Sequence, residues 1–246
     1  MVSARHLNVL LDRSRTSIAS LPTMTVSPAP PLFRTLVFTP QKHTLPPSHI
    51  SDFCALINPA YAATGLGYFP GKRIPDSTAK ELIQPGRWVL GLYVASPSSP
   101  PLELTDSNGV RHDMEGWELV GTLSLSREAP GSAEVGSLLE GVEVPTAALL
   151  EDDAEFEYHV HLFAVSLAMS KSGLGSKLLT AAEEWVRKRH VGERTAFVAN
   201  SIVEFHTFEY YKRRGFVQDG EMTAMPLGTW GSCRPFRLAR MVKWLE

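Results

Sequence analysis

The chain has 246 residues, of which 43% are hydrophobic and 20% are charged, with a formal net charge of −2 at pH 7. This composition is typical of a globular protein that buries a large core, and the small net charge argues against a nucleic-acid-binding protein. No stretch reaches the roughly 18 apolar residues that a membrane-spanning helix needs. We therefore expect neither nucleic acid nor a membrane as a partner.

The chain contains two cysteines, Cys54 and Cys233, which lie far apart in sequence. Two thiols cannot build a disulfide framework or a cysteine-rich metal site. We expect both to be packing residues, because free cysteine is among the most buried residue types. A reducing, cytoplasmic compartment is the expected location.

Residues 1–34 differ in composition from the rest. They are rich in Ser, Thr, Pro and Arg, and Asp12 is their one acidic residue. This balance predicts either a disordered tail or a transit segment, which would make a mitochondrial location the alternative. We expect one folded domain over residues 35–246, with loop insertions at 96–116 and 127–155.

The first half of the folded region contains apolar runs and helical periodicities that predict five elements. In chain order these are a strand at Leu36–Phe38, a helix that begins at Ser48, a short helix at Ser77–Ile83, and strands at Trp88–Ala95 and Trp117–Ser126. Pro59 and Gly65 are expected to end the first helix. The two longer strands can pair across the polar loop between them.

The second half is more regular and alternates strands with helices. The predicted elements are a strand at Glu157–Val165, a helix at Gly173–Arg189, a strand at Arg194–Asn200, a helix at Glu204–Arg213 and a strand at Phe236–Leu245. This order after an antiparallel pair predicts an α/β fold, in which a mixed sheet carries helices on both faces.

The segment after Val165 has the properties of an anion-binding site. Gly173 and Gly175 open a helix whose first turn exposes unpaired N–H groups and the positive end of the helix dipole. Glycine also lets an anionic group approach the main chain without a Cβ in the way. Further donors on this rim are Lys171, Ser170, Ser172 and Ser176. The segment is therefore suited to a phosphate or pyrophosphate.

Two other phosphate-binding motifs do not fit this segment. A Walker loop requires the sequence GK[ST], which does not occur in the chain. The dinucleotide fingerprint requires a third glycine at the position that Leu178 occupies.

The positions of Val165, Gly173 and Gly175 fit the motif V-x-P-x-x-[QR]-x-x-G-x-[GA]. In this motif the chain resembles the GNAT superfamily of N-acetyltransferases. Leu167 replaces the usual proline. Ser170 replaces the usual Gln or Arg, which removes an expected phosphate contact that Lys171 can replace. A second motif agrees, since Tyr211, Gly215 and Phe216 resemble the family's late Y-x-x-x-G-[FY] signature.

The resemblance implies a mostly antiparallel sheet in which one parallel pair splays apart to admit acetyl-CoA. The pantetheine arm would bind main chain at Phe163 and Val165, and the amides of residues 171–176 would hold the pyrophosphate. The implied cofactor-binding residues are Phe163, Val165, Ser170, Lys171, Ser172, Gly173, Leu174, Gly175, Ser176 and Asn200. Tyr211 is the expected general acid, because a phenol with a pKa near 10 stays protonated at neutral pH.

The general base is expected on the strand that enters this site. Glu157, His159 and His161 share one face by the period of two, and histidine titrates near neutrality. We regard Glu157 and His159 as catalytic candidates and His161 as an acceptor-binding residue, along with Tyr61 and Arg73. His159 and His161 could also hold zinc, but no third ligand is evident, so we expect no metal.

The sequence therefore predicts an acetyl-CoA-dependent N-acetyltransferase that acts on a small-molecule amine, as a monomer or homodimer. Two alternatives stay open, namely a protein or peptide acetyltransferase and a non-catalytic acyl-CoA-binding module on the same fold.

Overall fold

The computed structural model describes residues 31–39, 45–65, 67–70, 87–128 and 156–245, all of which belong to one compact unit, Pro31–Glu246. Residues 1–30, the expected helix at Ser77–Ile83, Arg73 and most of the insertion at 127–155 lie outside the described residues.

Nine strands occur in the described chain. They are β1 (Phe33–Phe38), β2 (Arg87–Ala95), β3 (Glu103–Thr105), β4 (Arg111–Asp113), β5 (Trp117–Glu128), β6 (Phe156–Val165), β7 (Thr195–Ile202), β8 (Val217–Met225) and β9 (Phe236–Leu245). Seven of them form one sheet in the order β1-β2-β5-β6-β7-β9-β8. Within it β6 and β7 are parallel and every other neighbouring pair is antiparallel. The predicted mixed sheet is therefore confirmed.

Three strand features were not evident from the sequence. The first strand begins at Phe33, inside the expected tail. The polar loop at 96–116 contains the β3–β4 hairpin, whose turn is held by the Asp106 carboxylate as it accepts the N–H groups of Asn108 and Val110. Strand β8 is mostly exposed and has few apolar residues, so only its pairing with β9 defines it.

Three helices occur in the described chain: α1 (Pro47–Thr64), α2 (Leu174–Arg189) and α3 (His206–Arg213). Pro59 does not end α1, contrary to expectation. It lies on the solvent side of the helix, where water can satisfy the carbonyl that loses its N–H partner. None of the described helices is both long enough and apolar enough to cross a lipid bilayer.

The two faces of the sheet carry separate hydrophobic clusters. On one face α2 contributes Leu178 and Val186, which belong to the same cluster as Phe197 of β7. On the other face α1 contributes Phe53 and Ile57 to a different cluster. We call these the α2 face and the α1 face.

The two cysteines do not form a disulfide and lie in unlike surroundings. Cys54 is half-buried, but Cys233 is exposed and its thiol donates to the Gly67 carbonyl at 2.8 Å. The expectation of a buried packing role is therefore wrong for Cys233.

A buried histidine–tyrosine pair joins α1 to β2. His49 and Tyr93 are both about 1% exposed, and the His49 Nε2 atom lies 2.7 Å from the Tyr93 hydroxyl. The Nδ1 atom lies 3.3 Å from the Asp52 carboxylate, which can only accept, so Nδ1 carries the proton and Nε2 accepts the tyrosine proton. Burial lowers the pKa of His49 below 6.5, an effect larger than the opposing one of Asp52.

We expect this pair to make the free energy of unfolding fall as the pH is lowered from about 7 to about 5. In that range the unfolded chain binds a proton on His49 that the folded chain does not. The contribution is complete above the unfolded-state pKa and is lost as the pH approaches the lower folded-state pKa. Urea unfolding of wild type and His49→Asn measures it. Parallel pH profiles for the two proteins would contradict the expectation.

Candidate active site

Strands β6 and β7 stop pairing partway along their length. The last pair is Val160 with Ala199, although β6 continues to Val165 and β7 to Ile202. Beyond Val160, the edge of β6 that faces β7 has no partner strand in the described sheet. The expected V-shaped gap between these strands is therefore present.

A bulge in β6 accounts for the separation. Ser124 of β5 is opposite His161, and Thr122 is opposite Ala164, so one β5 residue faces two residues of β6. Leu162, one of those two, has φ = 46°, a left-handed conformation that a leucine adopts only under constraint. Such a bulge bends its strand and increases its twist. It therefore turns the end of β6 away from β7.

The loop between β6 and α2 presents main-chain donors beside this gap. Lys171 and Gly173 have positive φ values, and Gly173 is the N-cap of α2. No described backbone carbonyl accepts the N–H groups of Leu174, Gly175 or Ser176. These groups and the helix dipole make the start of α2 suited to an anion.

The side chains of this loop contribute unequally. Ser170, Lys171 and Ser172 are exposed, but the Ser172 hydroxyl already donates to the Met169 carbonyl at 2.5 Å. Leu174 is 1% exposed and packs in the core, so only its main chain is available. Lys171 is therefore the cation that can accompany the amides.

Gly175 lies in a closely packed position. A Cβ at this position would lie 3.3 Å from both the Phe163 ring and the Tyr210 hydroxyl. Phe163 is half-buried on the part of β6 that does not pair with β7, and Val165 lies two residues further along the strand. Asn200 is exposed on β7 directly after the last pair. The predicted cofactor residues thus lie around one end of the gap.

Tyr211 lies on α3 in a group of aromatic rings. It is 6% exposed, and its ring centroid is 5.0 Å from that of Phe216 and 6.3 Å from that of Phe163. Burial raises the pKa of Tyr211 well above 10, with a smaller contribution from the nearby Tyr61. Tyr211 therefore keeps its proton at neutral pH.

Tyr210, the neighbour of Tyr211 on α3, also packs in this region. Its ring lies 5.7 Å from that of Phe163. Burial raises the pKa of Tyr210 more than the neighbouring Ser176 and Arg214 groups lower it. Its buried hydroxyl has no hydrogen-bond partner of good geometry among the described residues, and its ring packs against Phe163 beside Gly175.

The α1 face of β6 carries the predicted polar residues, and the structure confirms that they share one face. Glu157 is fully buried, and its Oε2 atom lies 3.0 Å from Nε2 of His159, which is 4% exposed. His161 is half-buried, with its Nε2 atom 2.8 Å from the Ser126 hydroxyl. His159 is opposite Val198, one pair before the gap opens.

Two residues of this network were not identified from the sequence. Arg240 of β9 donates from Nη2 to Glu157 at 3.0 Å and from Nε to Asp219 of β8 at 2.9 Å. Asp219 is 3% exposed. The alternation of Leu238, Arg240 and Val242 along β9 was the available signal, because it places an arginine on a face with apolar neighbours. Among the described residues no group of three or more His, Cys, Asp or Glu could hold a metal ion.

A cluster of aromatic side chains lies at the open end of the gap on the α1 face. We call it the aromatic cluster; its members are Tyr68, Phe69, Phe205, Trp230 and Phe236. Successive rings approach with centroid distances of 5.4 to 6.2 Å. The Cys233 N–H also donates to the Tyr68 carbonyl at 2.8 Å. This cluster joins the segment after α1 to the β8–β9 connection.

The aromatic cluster crosses the gap between β6 and β7. Helix α1 lies over β5 and β6, whereas Phe205 follows β7 and Phe236 begins β9. The segment that connects the end of α1 to these rings must therefore pass over the opening. Of the acceptor-binding residues predicted from the sequence, Tyr61 and His161 lie on this face, and Arg73 is outside the described residues.

Comparison with known proteins agrees with this geometry. Residues 107–216 match the acetyltransferase (GNAT) family, and no curated protein sequence matches the chain. The fold is similar to that of Arabidopsis thaliana NAA60 with a bisubstrate analogue (12% identity, 87% of this chain and 98% of that chain, TM-score 0.50). The same protein with acetyl-CoA gives 11% identity, 87% and 99% coverage and a TM-score of 0.50.

FeeM, an N-acyl amino acid synthase from uncultured soil microbes, is a further similar structure (16% identity, 86% of this chain and 91% of that chain, TM-score 0.49). The low identities restrict these likenesses to the fold. The family match, however, covers both sequence motifs, the bulged strand β6 and the helices that flank the gap. Through this segment the chain is similar to the acetyltransferase (GNAT) family.

Proposed function

We propose that this protein transfers the acetyl group of acetyl-CoA directly to a primary amine of a small molecule. The observation that carries the proposal is the gap between β6 and β7. It connects an anion-binding loop beside α2 with a set of buried titratable side chains on the α1 face, so a donor and an acceptor can meet within the sheet.

The residues beside the gap fit acetyl-CoA, which supplies a thioester as acyl donor. The unpaired amides of residues 174–176 and the Lys171 ammonium suit its pyrophosphate. The unpartnered edge of β6 at Phe163 and Val165 suits the amide groups of its pantetheine arm, as an added strand would pair there. Asn200 faces this edge from β7.

The chemistry requires a proton to leave the amine nitrogen as its bond to the carbonyl carbon forms, and a proton to reach sulfur as the carbon–sulfur bond breaks. In the proposed roles His159 takes the first proton, assisted by Glu157. Tyr211 donates the second, since it retains its proton at neutral pH. Both act as positioned acid–base groups.

The aromatic cluster supports a small acceptor over a polypeptide. An extended peptide that crossed the gap at this position would have to break the hydrogen bonds between Cys233 and residues 67–68. A small amine can lie beneath the cluster, beside Tyr61 and His161. We expect a cytoplasmic location and a monomer or homodimer.

Replacement of Tyr211 by Phe should lower kcat by about 100-fold, because general acid catalysis typically contributes 10²–10⁴. Thiol release from acetyl-CoA is measured against polyamines, amino acids, arylamines, aminoglycosides and short peptides. Tyr158→Phe is the matched control, since its hydroxyl bonds His190 at the opposite end of β6. Wild-type binding of acetyl-CoA without turnover on any acceptor would favour a non-catalytic binding module instead.

Replacement of Gly175 by Val should raise the Kd for coenzyme A by about tenfold or more, equal to about 1.4 kcal/mol. The added methyl groups would overlap Phe163 and Tyr210 and displace the first turn of α2. Isothermal titration calorimetry measures the change, with Thr180→Val on the exposed side of the same helix as control. Unchanged affinity would show that the start of α2 does not bind this ligand.

Replacement of Phe205 by Ala should broaden acceptor choice towards peptides. A single methylene group in an apolar pocket changes discrimination by about 1–3 kcal/mol, so loss of this larger side chain should lower the ratio of kcat/KM for the best small amine to that for a short peptide by about tenfold or more. Phe156→Ala, a half-buried aromatic at the other end of β6, should leave this ratio unchanged. A wild-type preference for peptides would contradict the assignment of a small acceptor.

A further inference from the structure

Arg240 connects three strands on the α1 face of the sheet. It lies on β9, and its guanidinium contacts Asp219 on β8 and Glu157 on β6. The two carboxylate side chains are 1% and 0% exposed, and that of Arg240 is 15% exposed. The guanidinium therefore holds two buried carboxylates that would otherwise repel each other and lack solvation.

The contact with Glu157 spans a whole strand. In the sheet order, β7 lies between β9 and β6, so the Arg240 side chain has to cross β7. The β7 residues in the cluster on this side are Ala196 and Val198, both fully buried. Their small side chains leave room for the arginine, and Asp219, paired with Arg240 in register, anchors it from the other direction.

The contact of Arg240 with Glu157 determines which nitrogen of His159 carries a proton. The guanidinium stabilises Glu157 as a carboxylate, which can only accept hydrogen bonds. The His159 Nε2 atom, 3.0 Å from Glu157, must then carry the proton, and Nδ1 is the basic nitrogen of the neutral ring. The orientation and tautomer of His159 thus depend on a residue two strands away.

We propose that Arg240, anchored by Asp219, is a positioning residue for the Glu157–His159 pair. It holds the Glu157 carboxylate against Nε2–H of His159, and so fixes the orientation and tautomer of the ring that serves as base in the proposed reaction. The catalytic consequence rests on the proposed function, whereas the tautomer is a property of the folded chain.

A purely structural ion pair would have a different signature. If Arg240 only held β8 and β9 to the sheet, its loss would lower the melting temperature and leave the His159 ring unchanged in molecules that stay folded. If it positions His159, the imidazole nitrogens must respond even where the fold persists.

The test is two-bond ¹H–¹⁵N spectroscopy of the full chain labelled with [¹⁵N]histidine, with His159 assigned through His159→Gln. We expect an Nε2–H tautomer in wild type, a mixture of tautomers in Arg240→Gln and Asp219→Asn, and partial recovery in Arg240→Lys. Arg237→Gln is the matched control, because Arg237 lies on the same strand but pairs with Glu204 instead. Unchanged His159 signals in any folded Arg240→Gln or Asp219→Asn protein would overturn the proposal.

Kinetics provide the second measurement, on the acceptor that the thiol-release panel identifies. Arg240→Gln should lower kcat about tenfold, because it removes a part of the 10²–10⁴-fold rate enhancement that acid–base catalysis contributes. The KM for acetyl-CoA should stay within about twofold of the wild-type value. A rise in the KM for acetyl-CoA at constant kcat would overturn the positioning role. Absence of wild-type turnover would count against the proposed function alone, since the spectra decide the role of Arg240 independently.

Discussion

The structure depends on the loss of hydrogen bonding between two parallel strands. The bulge at Leu162 turns β6 away from β7 after Val160, and no compensating strand fills the space in the described sheet. Unpaired backbone groups are costly when they are buried, so this edge needs hydrogen-bond partners, which water or a bound molecule can supply. The anion-binding loop follows directly, because it begins where the displaced strand ends.

The two faces of the sheet differ in the kind of charge that they carry beside this gap. On the side of α2, an anion is attracted mainly by main-chain dipoles, which need no buried charge and titrate at no ordinary pH. On the α1 face, the charges of Glu157, Asp219 and Arg240 are buried together. Removal of one partner from such a network typically costs about 3–5 kcal/mol, so the network also ties β6 to β8 and β9.

Sequence reasoning identified the parts of the site that depend on local patterns. The helix start at Gly173 and Gly175 and the alternation of Glu157, His159 and His161 follow from residue spacing alone, and both are present in the structure. The contribution of Arg240 could not be predicted in this way, because its partners are 83 and 21 positions distant. Their proximity is determined by the order β6-β7-β9-β8. The proximity of Phe69 and Phe236 could not be predicted for the same reason. Strand β8 could not be predicted because its sequence has no clear strand pattern.

The gap also divides the seven-stranded sheet mechanically. Four strands lie on one side and three on the other, and five residue pairs between β6 and β7 join them. A molecule that lies in the gap and contacts both edges adds a second connection between the halves. Its binding free energy would then also resist their separation, so occupancy of the site and the rigidity of the sheet are thermodynamically linked.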